Sequence, residues 1–367
     1  MIEYQTLNEK SALVINFFYK QRIKGFKSQN GYHCNNLATV NFNMRLKLLL
    51  IFLFVYSGIY SQIQINKSLF EHARNTPEPF TSSAEKLVDY LSKGLKGEKE
   101  KAEVIAYWIA THIDYDLPAF LNKSYQSESW ELVLSSHKAI CGGYANLFNH
   151  LCSVAGIEAF TVAGYVTGNG IETVEDFKTT NHIWNVALIK GNFYLFDLTF
   201  AAGFICKNGE KYDFIKKLQP EYLFASPIQL IKTHLPAQER WQLLEHPVGM
   251  KDFLIKEEPD SSDKDTFHFT DSINDYRLLD LSDRAIKDAI DAYKVNPQPL
   301  ELAWIYQKQA YDISVSDSEK STLKTAITYY NQAISIYQSL GESEKVEKCE
   351  RGISYIKQQL RKGFAQQ

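Results

Sequence analysis

Lys138-Ala139-Ile140-Cys141-Gly142-Gly143-Tyr144-Ala145 is the stretch on which the fold turns. The run from Cys141 to Val154 is apolar enough for a buried helix, and Gly156 stands just beyond it where helices commonly stop. The spacing therefore predicts a helix over 141–154 with a thiol at its N-terminus. Downstream, Glu158 to Val166 is apolar and rich in strand formers, and Thr167 to Asn181 is polar with Gly168 and Gly170, hence a loop. Its acidic residues Glu172, Glu175 and Asp176 leave two readings open, a lid or a solvent-exposed insertion.

His182–Ile189 and Asn192–Phe200 then read as two strands joined at Lys190-Gly191, a two-residue hairpin turn. With that turn Ile189 faces Asn192, Trp184 faces Asp197 and His182 faces Thr199. His182 and Asp197 fall on one face of the ladder as diagonal neighbours within side-chain reach. A three-residue turn would send one strand's side chains to the opposite face, so pairing His182 with Asp197 is also a claim about turn length.

Upstream of the cysteine, Ser82 or Ser83 caps a helix carrying Leu87, Val88, Leu91 and Leu95. A second helix begins near Glu98, with Ala102, Ile105 and Ile109 on one face. Residues 251–277 hold the charged run Glu257-Glu258-Pro259-Asp260-Ser261-Ser262-Asp263-Lys264-Asp265, read as a linker or loop. Beyond it Leu323, Ile327, Tyr330, Ile334 and Tyr337 recur at helical steps and Gly341 ends the helix. Val346, Cys349, Ile353, Ile356 and Leu360 repeat the pattern. The expected C-terminal part is a small all-α domain resembling a tetratricopeptide unit, without a clean repeat in the 34-residue frame. Its apolar stripe reads first as core and second as a docking face for a protein partner.

At 367 residues, with 45% hydrophobic and 23% charged residues, the chain has the material for about two globular domains. Net charge is only −3 and no Lys/Arg run is interleaved with aromatics, so no nucleic-acid partner is expected. Met44-Arg45-Leu46-Lys47, the apolar run Leu48 to Val55 and Tyr56-Ser57-Gly58-Ile59-Tyr60-Ser61 have the layout of a secretory signal cut after Ser61. It lies 43 residues into the chain, so residues 1–43 are read as a non-native upstream extension, with translation beginning at Met44. The alternative is a membrane anchor through residues 46–60, and membrane association follows only if the segment stays uncleaved. Export places the mature chain in the periplasm, at the cell surface or outside. Of the five cysteines, Cys141 and Cys152 would lie about 16 Å apart along one helix and cannot bridge. Cys34 falls before the signal, and Cys152, Cys206 and Cys349 are read as inert. No metal-binding spacing and no cofactor motif is found.

A thiol attacks acyl carbon as thiolate, which a helix N-terminus and a neighbouring imidazolium both favour. Cys141 is accordingly read as nucleophile, His182 as base and then acid, and Asp197 as the group that orients the ring. Gly142 and Gly143 would let a substrate backbone approach, and the Cys141 N–H would help hold the oxyanion. Tyr144, Trp184 and Asn185 are read as scaffold, with Trp184 screening the Cys–His pair from water. Trp130 and Gln126 are the candidates for a second oxyanion donor. Taken singly, each of the three central residues has an ordinary structural explanation; their order and local context set them apart.

Trp108-Ile109 with Ile113-Asp114-Tyr115-Asp116, the Cys141 stretch, His182-Ile183-Trp184-Asn185 and Tyr194-Leu195-Phe196-Asp197-Leu198-Thr199 together resemble the transglutaminase-like superfamily. Within it the likeness is to the kyphoscoliosis-peptidase and cytokinesis-protein-3 type of domain, and it spans roughly 82–245. One departure is Phe200, where the family often carries Trp. The resemblance implies an α+β, papain-like transglutaminase core, with the Cys helix packed on an antiparallel sheet that supplies His and Asp. The expected organisation is a signal at 44–61, this domain at 62–250, a linker at 251–277 and the helical domain at 278–367. The resemblance does not fix one reaction. A cysteine peptidase or amidase acting on protein or peptide is the first expectation and a protein-glutamine transamidase the variant. A non-catalytic peptide-binding or assembly module is the alternative.

Overall fold

The computed structural model of the chain describes residues 65–122, 128–167, 177–208, 211–255, 265–316 and 319–364. The signal segment at 44–61, residues 1–43, Cys34, Gln126, the acidic residues of the 167–181 loop and residues 257–264 of the charged run lie outside them. Among the described residues no helix is long and apolar enough to cross a membrane. The described residues divide into two compact units, one of residues 65–167 and 181–233, the other of 177–180 and 234–364.

The first unit is α+β. Its helices are α1 (Lys67–Arg74), α2 (Ala84–Leu91), α3 (Glu98–His112), α4 (Leu117–Asn122), α5 (Trp130–Ser136), α6 (Cys141–Val154), α7 (Leu198–Ala202) and α8 (Pro227–Leu230). Its strands are β1 (Asp114–Tyr115), β2 (Lys138–Ala139), β3 (Glu158–Val166), β4 (His182–Ile189), β5 (Asn192–Phe196), β6 (Gly203–Asn208), β7 (Lys211–Lys216) and β8 (Leu223–Ala225). Ser83 caps α2, its hydroxyl accepting the Lys86 N–H at 3.3 Å. That helix stops at Leu91, short of Leu95, because Gly94 takes a left-handed turn at φ 81°.

Within this unit β8, β5, β4 and β3 lie side by side, each antiparallel to the next. The cysteine helix α6 packs against β3 and β4, burying Leu147, Phe148, Leu151 and Cys152. Phe148 meets Phe196 of β5 with ring centroids 4.9 Å apart. On its other side α6 touches α3, whose Ala102, Ile105, Trp108 and Ile109 are fully buried. The helix is thus apolar around most of its girth, as a helix sandwiched between other elements must be.

The hairpin has the expected register. Ile189 faces Asn192 and the ladder runs to Asn185 opposite Phe196. Lys190 at φ 50° and Gly191 at φ 79° make the two-residue turn with both central residues left-handed, the form whose twist matches paired strands. The second strand, expected to reach Phe200, ends at Phe196. Asp197 caps a helix there, its carboxylate accepting the Phe200 N–H at 3.0 Å, and this helix-start signal prevails over the strand-forming character of Leu198-Thr199-Phe200.

The second unit is mainly helical: α9 (Met250–Ile255), α10 (Phe269–Leu278), α11 (Leu281–Val295), α12 (Pro299–Ser316), α13 (Lys320–Ser339) and α14 (Ser343–Phe364). The stretch read as a linker, 251–277, therefore contains most of α9 and α10, and the second unit takes in the chain from His234. From α11 onward each helix packs on the next. Gly341 ends α13 at φ 72°. Gly352 on α14 lies under the Tyr330 ring, where an added Cβ would come within 2.4 Å of Cζ, so these two helices approach closely at that point. Tyr330, Ala333, Tyr337, Cys349 and Ile356 form the core, as the helical periodicity required.

Candidate active site

Cys141 is the first residue of α6, following Ile140, which holds the N-cap position but has no side chain able to cap. The thiol is buried with Ala145 of its own helix and Ile183 of β4. His182 opens β4, and the register that places Gly164 opposite it keeps β3 backbone, not bulk, beside the ring. Asp197 follows β5. The structure brings these three side chains together. His182 Nε2 lies 2.6 Å from Asp197 Oδ2 in a pair that is almost wholly buried. The histidine also shares a side-chain hydrogen bond with Cys141. Because Nε2 faces Asp197, Nδ1 is the ring nitrogen left to face the thiol.

Burial alone would make the His182 imidazole less basic. The Asp197 charge and hydrogen bond, together with the contact to Cys141, outweigh burial and push its pKa up to about 10. The ring is therefore an imidazolium at neutral pH, placed beside the thiol at a helix N-terminus. Asp197 holds it from a fixed position: Oδ2 goes to His182 and Oδ1 accepts from the Phe200 N–H. Two aromatic rings confine the imidazole, Trp184 stacked at 5.8 Å and Phe200 edge-on at 5.1 Å.

The scaffold residues fasten the cysteine helix. Asn185, buried in β4, donates from Nδ2 to the Ala145 carbonyl at 3.1 Å and to Asn149 Oδ1 at 2.8 Å, tying α6 to the sheet one turn below the thiol. The Tyr144 hydroxyl donates to the Ile113 carbonyl at 2.7 Å and fastens the opposite side. Trp130 opens α5, and its ring stacks on His150 at 3.6 Å, near the far end of α6 from Cys141. Cys152, Cys206 and Cys349 are buried and unbridged, and burial pushes the Cys349 thiol up to about 11 and the Cys152 thiol higher.

The two glycines differ in purpose. At Gly142 an added Cβ would meet only Glu128 Oε2 at 3.4 Å, an ordinary contact. At Gly143 it would stand 2.7 Å from Ala139 Cβ and 2.8 Å from Val133 Cγ2, so this glycine serves close packing of α5 and β2 on α6 as well as any approach of substrate. Gly143→Ala is expected to lower stability by about 1–2 kcal/mol. Overpacking costs about 1–3 kcal/mol, and the better helix propensity of alanine returns up to about 1. Urea unfolding would measure the difference.

Sequence reasoning missed Glu128. Its Oε1 accepts the Ile140 N–H and its Oε2 the Gly143 N–H, each at 2.6 Å, while its own carbonyl accepts from Asn146 Nδ2 at 3.0 Å. Burial pushes the carboxyl up to about 7; the two N–H donors oppose that shift, and the Asp116 charge adds to it. The available signal was the missing cap: Ile140 cannot satisfy the free N–H groups of the first turn, so a partner had to come from elsewhere in the chain.

A family model for the transglutaminase-like superfamily matches residues 85–198, the stretch that holds all three central residues. This chain carries a transglutaminase-like superfamily domain. Kyphoscoliosis peptidase of Mus musculus is 32% identical over 173 residues, covering 47% of this chain and 26% of that protein. Hillarin of Drosophila melanogaster is 25% identical over 215 residues, covering 54% of this chain and 25% of its own length. The chain thus spans about a quarter of the curated relatives it matches. The crystal structure of a TGase aligns over 48% of this chain and 42% of that one, at 15% identity and a TM-score of 0.26.

Proposed function

We propose that the transglutaminase-like domain is a thiol-dependent acyl-transfer enzyme that hydrolyses amide bonds of protein or peptide substrates. The observation that carries this reading is the buried His182 ring, bonded through Nε2 to Asp197 at 2.6 Å and hydrogen-bonded to Cys141. Cys141 Sγ attacks the acyl carbon to form a thioester. The amine leaves with the proton that His182 delivers, water then adds with His182 as base, and the acid product departs as the thiol re-forms. Thiol, imidazole and water balance the reaction. A primary amine in place of water gives transamidation by the same steps, so the acceptor decides between the two outcomes. The likeness to proteins called peptidases favours water. The segment at 44–61 supports action outside the cytoplasm, and the C-terminal helices are the candidate surface for a protein partner.

The test is incubation of the full chain with an unfolded protein substrate and a fluorescent primary amine, reading new N-termini and incorporated fluorophore in parallel. New termini that vanish in Cys141→Ala are expected. Fluorophore incorporation without cleavage would make the domain a transamidase. Neither product, with the substrate still bound, would move the reading to a peptide-binding module.

A further inference from the structure

An N-cap side chain ordinarily accepts the N–H of the third helical residue, and a Glu at that third position reaches back to the cap N–H. In α6 these positions are Ile140 and Gly143, and neither has a side chain for the task. The carboxylate of Glu128, twelve and fifteen residues away in sequence, accepts both N–H groups at 2.6 Å. It thereby supplies both halves of a capping box from outside the helix. We propose that Glu128 is the positioning residue of Cys141: its ionised carboxylate clamps the turn that carries the thiol.

This inference rests on the acyl-transfer reading of the same site. A protonated carboxyl has one fewer acceptor position than the carboxylate and cannot hold both N–H groups equally. Because burial raises Glu128 to about 7, the clamp is made above that pH and is lost as pH falls through it. The groups that face Glu128 are Asp116, just ahead of α4, and Tyr144 on α6. Asp116 accepts the Ala119 N–H, Tyr144 is held to the Ile113 carbonyl, and the nearby Glu131 of α5 acts on His150. None of them can replace the two bonds that Glu128 makes.

The test is the rate of iodoacetamide labelling at Cys141 against pH, in the full chain, in Glu128→Gln and in His182→Ala. The glutamine keeps the size and one acceptor but turns an NH2 group toward the second backbone N–H. Its labelling plateau is expected to fall about tenfold or more, as a displaced nucleophile would, and the inflection near pH 7 is expected to disappear. Labelling of Glu128→Gln at the wild-type rate or faster, with the inflection kept, would overturn the proposal. Should Glu128→Gln fail to fold, the Ile140 and Gly143 amide resonances of the wild-type chain decide. They are expected to titrate together with a midpoint near 7, and shifts flat through that range would overturn the clamp. If wild-type labelling proves indifferent to His182, the acyl-transfer reading fails, while the amide titration still reports on the clamp by itself.

Discussion

Replacing Asp197 with asparagine is expected to slow the chemistry at Cys141 by about 10²–10⁴-fold without unfolding the site. The amide oxygen can still accept the Phe200 N–H, now 3.0 Å from Oδ1, so the cap of α7 survives. Its NH2 group then points at His182 Nε2. That nitrogen must become an acceptor, which moves the ring proton to Nδ1, the side facing Cys141. A ring protonated there cannot take the thiol proton, and without the carboxylate beside it the imidazolium is no longer favoured. The same pair makes a pH-dependent contribution to stability. His182 is raised to about 10, so the stabilisation is full below its ordinary value of 6.5 and is lost as pH rises through about 10. The difference in Tm between wild type and Asp197→Asn should be widest near pH 6 and close at strongly alkaline pH. A variant as fast as wild type would remove Asp197 from the mechanism.

Arg240→Ala is expected to destabilise the second unit by about 3 kcal/mol. The guanidinium is fully buried, bonded to Asp291 at 2.6 Å and to Asp288, and stacked at 4.0 Å on the Tyr276 ring. Removing it leaves two carboxylates of α11 facing the space it occupied. The cost sits at the low end of the range for a broken buried pair for two reasons. Asp288 keeps 35% of its side chain in contact with solvent, and Asp291 retains Lys287 at 2.5 Å and Lys294 at 3.0 Å. Differential scanning calorimetry should show the unfolding of this unit moved down, and Arg240→Met combined with Asp288→Asn should recover part of the loss, since no unpaired charge is then left at Asp288.

The parts of the fold legible in sequence were those fixed by local chemistry. The bounds of α6 followed from an apolar run closed by Gly156, and the hairpin register followed from Lys190-Gly191, whose two left-handed residues permit only the tight turn. That register alone places His182 near Asp197. The strand β5 ends earlier than composition suggests because Leu198, Thr199 and Phe200 suit a strand, whereas Asp197 acts as a helix cap. Glu128 was out of reach because the box it completes joins residues that are remote in sequence, and capping signals are read only locally. The β6–β7 hairpin was legible in Asn208-Gly209, a strong hairpin-turn signal that went unread, whereas α1, at eight residues, is too short to show a long apolar period.

The central claim is that Cys141 is a nucleophile activated by the His182–Asp197 pair. Its most direct measurement is the site-resolved rate of iodoacetamide alkylation across pH in the wild-type chain and in His182→Ala. The account predicts fast labelling of Cys141 well below pH 8, the range of an unassisted thiol, and its collapse in His182→Ala. Labelling that rises only as an ordinary thiol's would, and equally in both proteins, would contradict it.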